Sequence, residues 1–459
     1  MLRNTSIFFN EWRFARKYTS FEKNVNRRLF EAMFIRLRPC SLCGGFLRWR
    51  SDEPEEHRKR KRRMTQSEEI SNYFQTKESL RNVLKDVPGK ILKMRRKIPE
   101  ALYLVDDDVA DEIVTAINKE VESLNSPIIE ANPGLGLITK RLLNCGAQNL
   151  QLYESSAEFK ARLQAIEEEN RSRVTLYSAD ILDLAKFKFQ DKMDSGSRVE
   201  TIIKRVPARS WNDEIAFRVV GVLPSFGFLK YLMLSHILQS GLMLQGRPEL
   251  YVVISPTLYH HLTCNSKASY RYYRSTTVIF QLIFEAMLLS KVPRKAFFPW
   301  ITRNMGKKKL DEFKAAEEEY MYLVKIVACK DFFEKVVPVE HLQPLWYFLR
   351  THMMSRRNRI VPQLEQWIPG CGPRLIIKGR SIFDQFGDLN PPELLSLFKE
   401  FISWPEFYQS NFLSSMETNF MKTELMSDEV DSSSHYPADG DAEPEPEPGA
   451  DTVLQCEET

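Results

Sequence analysis

Residues able to do chemistry stand at the ends of successive apolar runs in this 459-residue chain. In IIEANPGLGLIT, residues 128–139, a short run ends near Glu130, and a turn holding Gly134 and Gly136 opens into a helical pattern. Glycines there let the backbone approach a ligand closely, and the first helical turn offers unpaired N–H groups. Glu154 closes the next apolar run, where a carboxylate suits both hydroxyls of a ribose. Asp180 follows the third run, in reach of an adenine amino group. Leu137, Ile138 and Thr139 follow Gly136, so the GxGxxG dinucleotide fingerprint is absent. The spacing suits an adenosyl ligand without pyrophosphate better than NAD. A glycine turn needed only for tight packing is the competing reading.

A second stretch, FRVVGVLPSFG, residues 217–227, reads as a buried strand entering a proline turn. In an open α/β sheet, ligands bind beyond the carboxyl ends of the strands, so chemistry belongs here. Yet between Val219 and Gly227 there is no acid, base, amide or aromatic hydroxyl, only Ser225.

The elements that must position these residues are legible as alternating patterns. Residues 127–131, 149–154, 173–179, 216–223 and 249–256 read as strands, with amphipathic helices between them. Asp106 is the expected N-cap of a helix whose Val109, Ile113, Val114, Ile117 and Val121 share a face, and Gly146 is a C-terminal stop. Strand after helix after strand implies parallel crossovers and a doubly wound α/β sheet. Residues 186–213 are polar and read as a surface insertion. From about residue 291 the pattern turns helical, including 307–329. The expected organisation is a presequence and basic linker (1–90), the sheet domain (91–290), a smaller α-helical domain (291–423) and an acidic tail (424–459).

Charge is distributed unevenly. Residues 1–63 hold seventeen Lys/Arg against seven Asp/Glu, and residues 424–459 hold twelve Asp/Glu and no Lys/Arg. A basic body with an acidic tail fits a polyanionic partner, or flanks that only confer solubility. No run reaches 18 uncharged apolar residues, which argues against a membrane span. Seven cysteines make no disulfide framework, and the lone Cys40–Cys43 pair lacks the further ligands a zinc site needs, so no metal is expected. The first twenty residues set Arg3, Arg13, Arg16 and Lys17 against Glu11 alone, among aromatic and Ser/Thr residues. That is the make-up of a mitochondrial transit peptide. HRKRKRR, residues 57–63, is the competing nuclear or nucleic-acid signal.

Glu130, NPGLGLIT, Glu154 and Asp180 together resemble the rRNA adenine N6,N6-dimethyltransferase family. Similarity runs from about Pro99 to Pro299. The resemblance implies a Rossmann-like S-adenosylmethionine methyltransferase sheet with a smaller α-helical C-terminal domain. It implies cofactor contacts at Leu104, Gly134, Gly136, Glu154 and Asp180. Leu104 falls on the leucine of the family's leading Gly-Gln-Asn-Phe-Leu stretch, while Glu100, Ala101 and Leu102 replace its first three residues. Asn132 stands where the family has the first Gly of its glycine motif.

The family's catalytic loop is Asn-Leu-Pro-Tyr, whose amide accepts the target adenine's amino group and whose ring stacks on the flipped base. Here the aligned residues are Val222-Leu223-Pro224-Ser225, so both working side chains are replaced and no catalytic residue remains. Methylation is expected to be slow or absent, with cofactor binding either retained or vestigial. A stripped loop behind a mitochondrial address resembles the branch of the family that assists mitochondrial RNA polymerase. That likeness implies a monomer in the mitochondrial matrix, at the nucleoid, engaging polymerase and promoter DNA as the strands melt. The alternative is an active rRNA dimethyltransferase of the mitochondrial small subunit.

Basic and aromatic residues interleave in SYRYYRS, residues 269–275, and KVPRKAFFPW, residues 291–300. Tyr272, Arg274, Arg294 and Lys295 are therefore candidate nucleic-acid contacts, because charge beside stacking rings suits single strands. A tyrosine face packed on the sheet would give the same pattern. Lys307 and Lys308 join the candidates because they begin a helix-like segment, where positive charge opposes the macrodipole.

Overall fold

The computed structural model describes residues 65–94, 100–121, 126–267, 271–300, 313 and 316–425. The transit-peptide segment, Cys40, Cys43, the 57–63 basic run, Lys307, Lys308 and the acidic tail beyond Leu425 all lie outside the described residues. Nine strands are described: β1 (Tyr103–Leu104), β2 (Ile128–Ala131), β3 (Leu150–Tyr153), β4 (Val174–Tyr177), β5 (Phe217–Val222), β6 (Pro248–Ile254), β7 (Phe284–Pro293), β8 (Phe297–Phe298) and β9 (Tyr320–Ala328).

Seven of them form one sheet in the order β4-β3-β2-β5-β6-β9-β7. β4, β3, β2, β5 and β6 are mutually parallel, while β9 runs antiparallel between β6 and β7. β2, β3, β5 and β6 are buried along their whole length. That explains their near-continuous apolar runs, since helices cover both faces of such a sheet. The α/β architecture expected from the sequence is the one observed.

Local signals act where they were read. Asp106 caps the helix Asp107–Glu120, its Oδ1 accepting from the Asp108 N–H at 3.0 Å. Val109, Ala110, Ile113, Val114 and Ile117 form the buried face of that helix. The helix Leu137–Asn144 stops at Gly146, whose φ is 94°. The N–H groups of Gly146 and Ala147 donate back to the carbonyls of Leu143 and Leu142, which satisfies the last turn.

Three readings are corrected. Residues 65–90, expected to be linker, hold the helices Gln66–Gln75 and Glu78–Leu84, whose Phe74, Leu80 and Val83 are buried in the core. Residues 307–329 read as a helix, yet Tyr320–Ala328 is a strand in the main sheet. Its side chains alternate between the two faces of the sheet, Met321 and Leu323 entering one core cluster and Val324, Ile326 and Ala328 the other, as a period-two strand requires. The sheet thus extends to Ala328, past the expected boundary at 290–291. The segment 186–213 is not merely an insertion. It carries the helices Leu184–Asp194 and Arg198–Ile203, anchored by buried Leu184, Ile202 and Val206.

Helices Leu342–His352, Pro391–Ser403 and Phe412–Leu425 follow the sheet. Their Phe348, Phe398 and Phe401 share a core with Phe280, Leu282 and Val324 of the sheet region. Tyr273 joins the two parts directly, its hydroxyl donating to the Leu389 carbonyl at 2.8 Å.

Candidate functional site

The parallel strands deliver their carboxyl ends to one edge, so the turns after β2, β3, β4 and β5 meet there. The Asn132 N–H continues the ladder to the Tyr153 carbonyl, and the Glu154 N–H to that of Tyr177. This sets Asn132, Gly134, Gly136, Glu154 and Asp180 side by side, as the sequence spacing implied. Gly134 and Gly136 have φ of 55° and 70°. Both are left-handed conformations that an L side chain adopts only at a cost.

Glu154 is buried and accepts three hydrogen bonds. Its Oε2 accepts from the Gly134 N–H at 3.1 Å. Its Oε1 accepts from the Ser156 N–H at 2.8 Å and from the Tyr103 hydroxyl at 3.3 Å. Asp180 is buried too, Oδ1 taking the Leu182 N–H at 2.8 Å and Oδ2 the Asn132 carboxamide at 3.1 Å. Burial pushes the Glu154 carboxyl up to about 7 despite the N–H donors of Ser156 and Gly134, and nearby Asp180 adds to the rise. Burial raises Asp180 as well. Glu130, wholly enclosed on β2, is pushed up to about 8 by burial, although the Thr139 hydroxyl donates to it at 2.7 Å.

Tyr103 is the residue that the sequence reading passed over. It stands at the phenylalanine of the family's leading stretch, and the added hydroxyl was the signal. β1 pairs antiparallel with β8, Tyr103 opposite Phe298 and Leu104 opposite Phe297, which fixes the ring over the glycine turn. A Cβ on Gly134 would lie 2.7 Å from Tyr103 Cδ1. The other edge of the ring packs on Phe159, centroids 4.7 Å apart. Leu104, Glu130, Asn132, Gly221 and Val222 line a small cavity of about 10 Å³, room for roughly one water molecule.

The loop after β5 is as bare as its sequence. Val222 is buried, and Leu223 is held by its N–H to the Val253 carbonyl at 2.9 Å. Ser225 Oγ accepts the Gly227 N–H at 3.3 Å, so its hydroxyl serves the start of the helix Gly227–Ile237.

The expected nucleic-acid contacts divide. Tyr272 is 6% exposed, its ring edge-on to His260, so it offers no face for a base, and that assignment is corrected. The packing reading of SYRYYRS holds for Tyr272 and for Tyr273. Arg294 donates to the carbonyls of Phe297 and Pro299 at 2.6 and 3.2 Å, a structural task within its own turn. Lys295 is exposed and Arg274 half-buried. A group that the sequence reading did not find lies on the sheet edge near β6's carboxyl end. Tyr259, Tyr320 and Tyr322 are half-buried neighbours, with the Lys291 ammonium 5.2 Å from the Tyr320 ring centre. Tyr320 and Tyr322 were hidden because their strand read as helix. Among the described residues no cluster of His, Cys, Asp or Glu could hold a metal, and no helix is long and apolar enough to cross a membrane.

Over residues 94–370 the sequence matches the family described as ribosomal RNA adenine dimethylase. The chain belongs to this family. It is 34% identical over 430 residues to "Dimethyladenosine transferase 2, mitochondrial" of Drosophila melanogaster, covering 84% of this chain and 94% of that protein. The Homo sapiens protein of the same name is 22% identical over 286 residues, covering 59% of this chain and 70% of its own. Among solved structures, a dimethyladenosine transferase from Plasmodium falciparum superposes with a TM-score of 0.42 at 12% identity, covering 65% of this chain and 97% of that one. The 23S rRNA methyltransferase ErmE gives a TM-score of 0.40 at 14% identity, covering 66% and 100%. As a dimethylase-family member, the chain has the S-adenosylmethionine methyltransferase fold that the sequence implied. In its pocket a tyrosine ring packs on the glycine turn, and both carboxylates already have side-chain donors.

Proposed function

We propose that this dimethylase-family chain works in mitochondria as a transcription initiation factor, helping mitochondrial RNA polymerase to open promoter DNA, and not as a methylating enzyme. The observation that carries this reading is the loop after β5. Val222 has no group to accept an adenine amino hydrogen, and Ser225 has no ring and spends its hydroxyl on the Gly227 N–H. Loss of a base stack alone removes ~1–3 kcal/mol. A scaffold that keeps the family fold without these side chains is suited to holding nucleic acid, not to modifying it. The mitochondrial names of its relatives and the Arg-rich, acid-poor N-terminus support the compartment.

In this reading the protein acts as a monomer at the nucleoid in the matrix. Lys295, Arg274, Lys307 and Lys308 supply positive charge to the melted strand. Run-off transcription by mitochondrial RNA polymerase on a linear promoter template is the test, and the expected result is initiation only when this protein is added. Retention of Glu154 and Asp180 at the strand ends favours a second reading, an S-adenosylmethionine-dependent rRNA adenine N6,N6-dimethyltransferase of the small subunit. Tritiated methyl transfer to small-subunit rRNA, lost in Glu154→Ala, would establish it.

A further inference from the structure

We propose that Tyr103 and Asn132 close the ancestral cofactor pocket from within, each holding one of the two carboxylates that an adenosyl ligand would need, so that the chain takes no such ligand there. This deepens the non-methylating reading and rests on Glu154 and Asp180 being the ribose and adenine positions. The two replacements are independent in sequence and convergent in chemistry. At one position a hydroxyl is added where the family has phenylalanine, and it donates to Glu154 at 3.3 Å. At the other, a carboxamide is added where the family has glycine, and it donates to Asp180 at 3.1 Å. Each new donor does for its carboxylate what the ligand's hydroxyl or amino group would do.

Glu154 has little acceptor capacity to spare. It already accepts three hydrogen bonds, of the about four lone-pair sites of a carboxylate. The Tyr103 ring packs directly on the glycine turn, 2.7 Å from where a Gly134 Cβ would lie. It is not a freely swinging lid. Its strand is paired to β8, and the Val105 N–H is tied to the Ala296 carbonyl at 2.9 Å. Asn132 bears its own strain: it is held at a φ of 52°, and its Oδ1 is buried with no hydrogen-bond partner. A residue kept in a glycine conformation with half its amide unsatisfied is explained by the work of the other half on Asp180.

Isothermal titration calorimetry with S-adenosylmethionine and S-adenosylhomocysteine tests this on the full chain, Tyr103→Phe, Asn132→Gly and the double variant, with folding checked by circular dichroism. The proposal expects no saturable binding to the unaltered protein and a dissociation constant at least about tenfold tighter in the double variant. Micromolar binding to the unaltered protein that Glu154→Gln abolishes would overturn it, as would a folded double variant that binds no better. If Asn132→Gly does not fold, Tyr103→Phe alone decides by the same criterion. Run-off transcription on the same preparations keeps the two claims apart. Dependence of initiation on a protein that does bind cofactor defeats only the pocket claim, whereas initiation without the protein defeats the functional reading.

Discussion

The Tyr103 hydroxyl lies 3.3 Å from Glu154 Oε1, joining the leading strand β1 to the end of β3 across the glycine turn. The contact spans 51 residues of sequence and is buried. It makes the pocket part of the core, so substitutions around it should register first as changes in stability.

Gly134→Ala should be costly for two separate reasons. The position has a φ of 55°, and the new methyl would press on Tyr103 Cδ1 at 2.7 Å. Backbone strain of this kind costs about 1–3 kcal/mol, and chemical denaturation should show a loss at least that large. Pairing it with Tyr103→Ala should recover the part due to contact and leave the part due to φ.

Restoring the loop alone should not restore chemistry. Val222→Asn puts a carboxamide at a position only 5% exposed. An unpaired buried amide costs about 1–3 kcal/mol. The variant Val222→Asn with Ser225→Tyr should therefore unfold at lower denaturant concentration and still transfer no tritiated methyl to rRNA. Methyl transfer by this variant, with Tyr103 and Asn132 intact, would contradict the account of the pocket.

The buried carboxyls give stability a defined pH dependence. Glu130 is raised from 4.5 to about 8 and Glu154 from 4.5 to about 7 in the folded chain. The folded state therefore holds more protons than the unfolded state in that window, and stability falls as pH rises through it. Glu130→Gln keeps an acceptor for Thr139 and cannot ionise. Thermal unfolding between pH 5 and pH 8, roughly that window, should show a shallower decline in this variant than in the unaltered chain.

Among the cationic candidates, Lys295 is the cleanest to test because it is exposed. Lys295→Ala should weaken single-stranded DNA binding and flatten the slope of log affinity against log salt by about 0.7, the loss of one phosphate contact. Tyr320→Ala should cost ~1–3 kcal/mol of the same binding if its ring takes a base. Tyr272→Phe should leave DNA binding unchanged, because that ring is inside the core.

What could be read in advance follows from where the signals are local. β2, β3, β5 and β6 announce themselves as apolar runs, and Asp106 and Gly146 mark helix ends by conformational preference. β7 was hidden because the helix Ser275–Ile283 passes into Phe284 with no Gly or Pro between them. β9 was hidden because its alternation follows a long charged stretch that favours a helix. Tyr272 and Lys295 both sit in basic, aromatic-rich segments, and only packing separates a core ring from a surface contact. The spacing of Glu154 and Asp180 predicted their meeting at one edge. That Tyr103 and Asn132 would occupy them is a tertiary fact, visible in sequence only as a hydroxyl and an amide at places where the family has neither.

The central claim is that the fold has been retained for initiation and not for methylation. Run-off transcription with mitochondrial RNA polymerase, comparing no factor, the unaltered chain and Glu154→Gln, tests it most directly. The account predicts transcripts with both forms and none without them. Transcripts in the absence of the protein would contradict it, and so would loss of initiation in Glu154→Gln together with a loss of rRNA methylation by the same folded preparation.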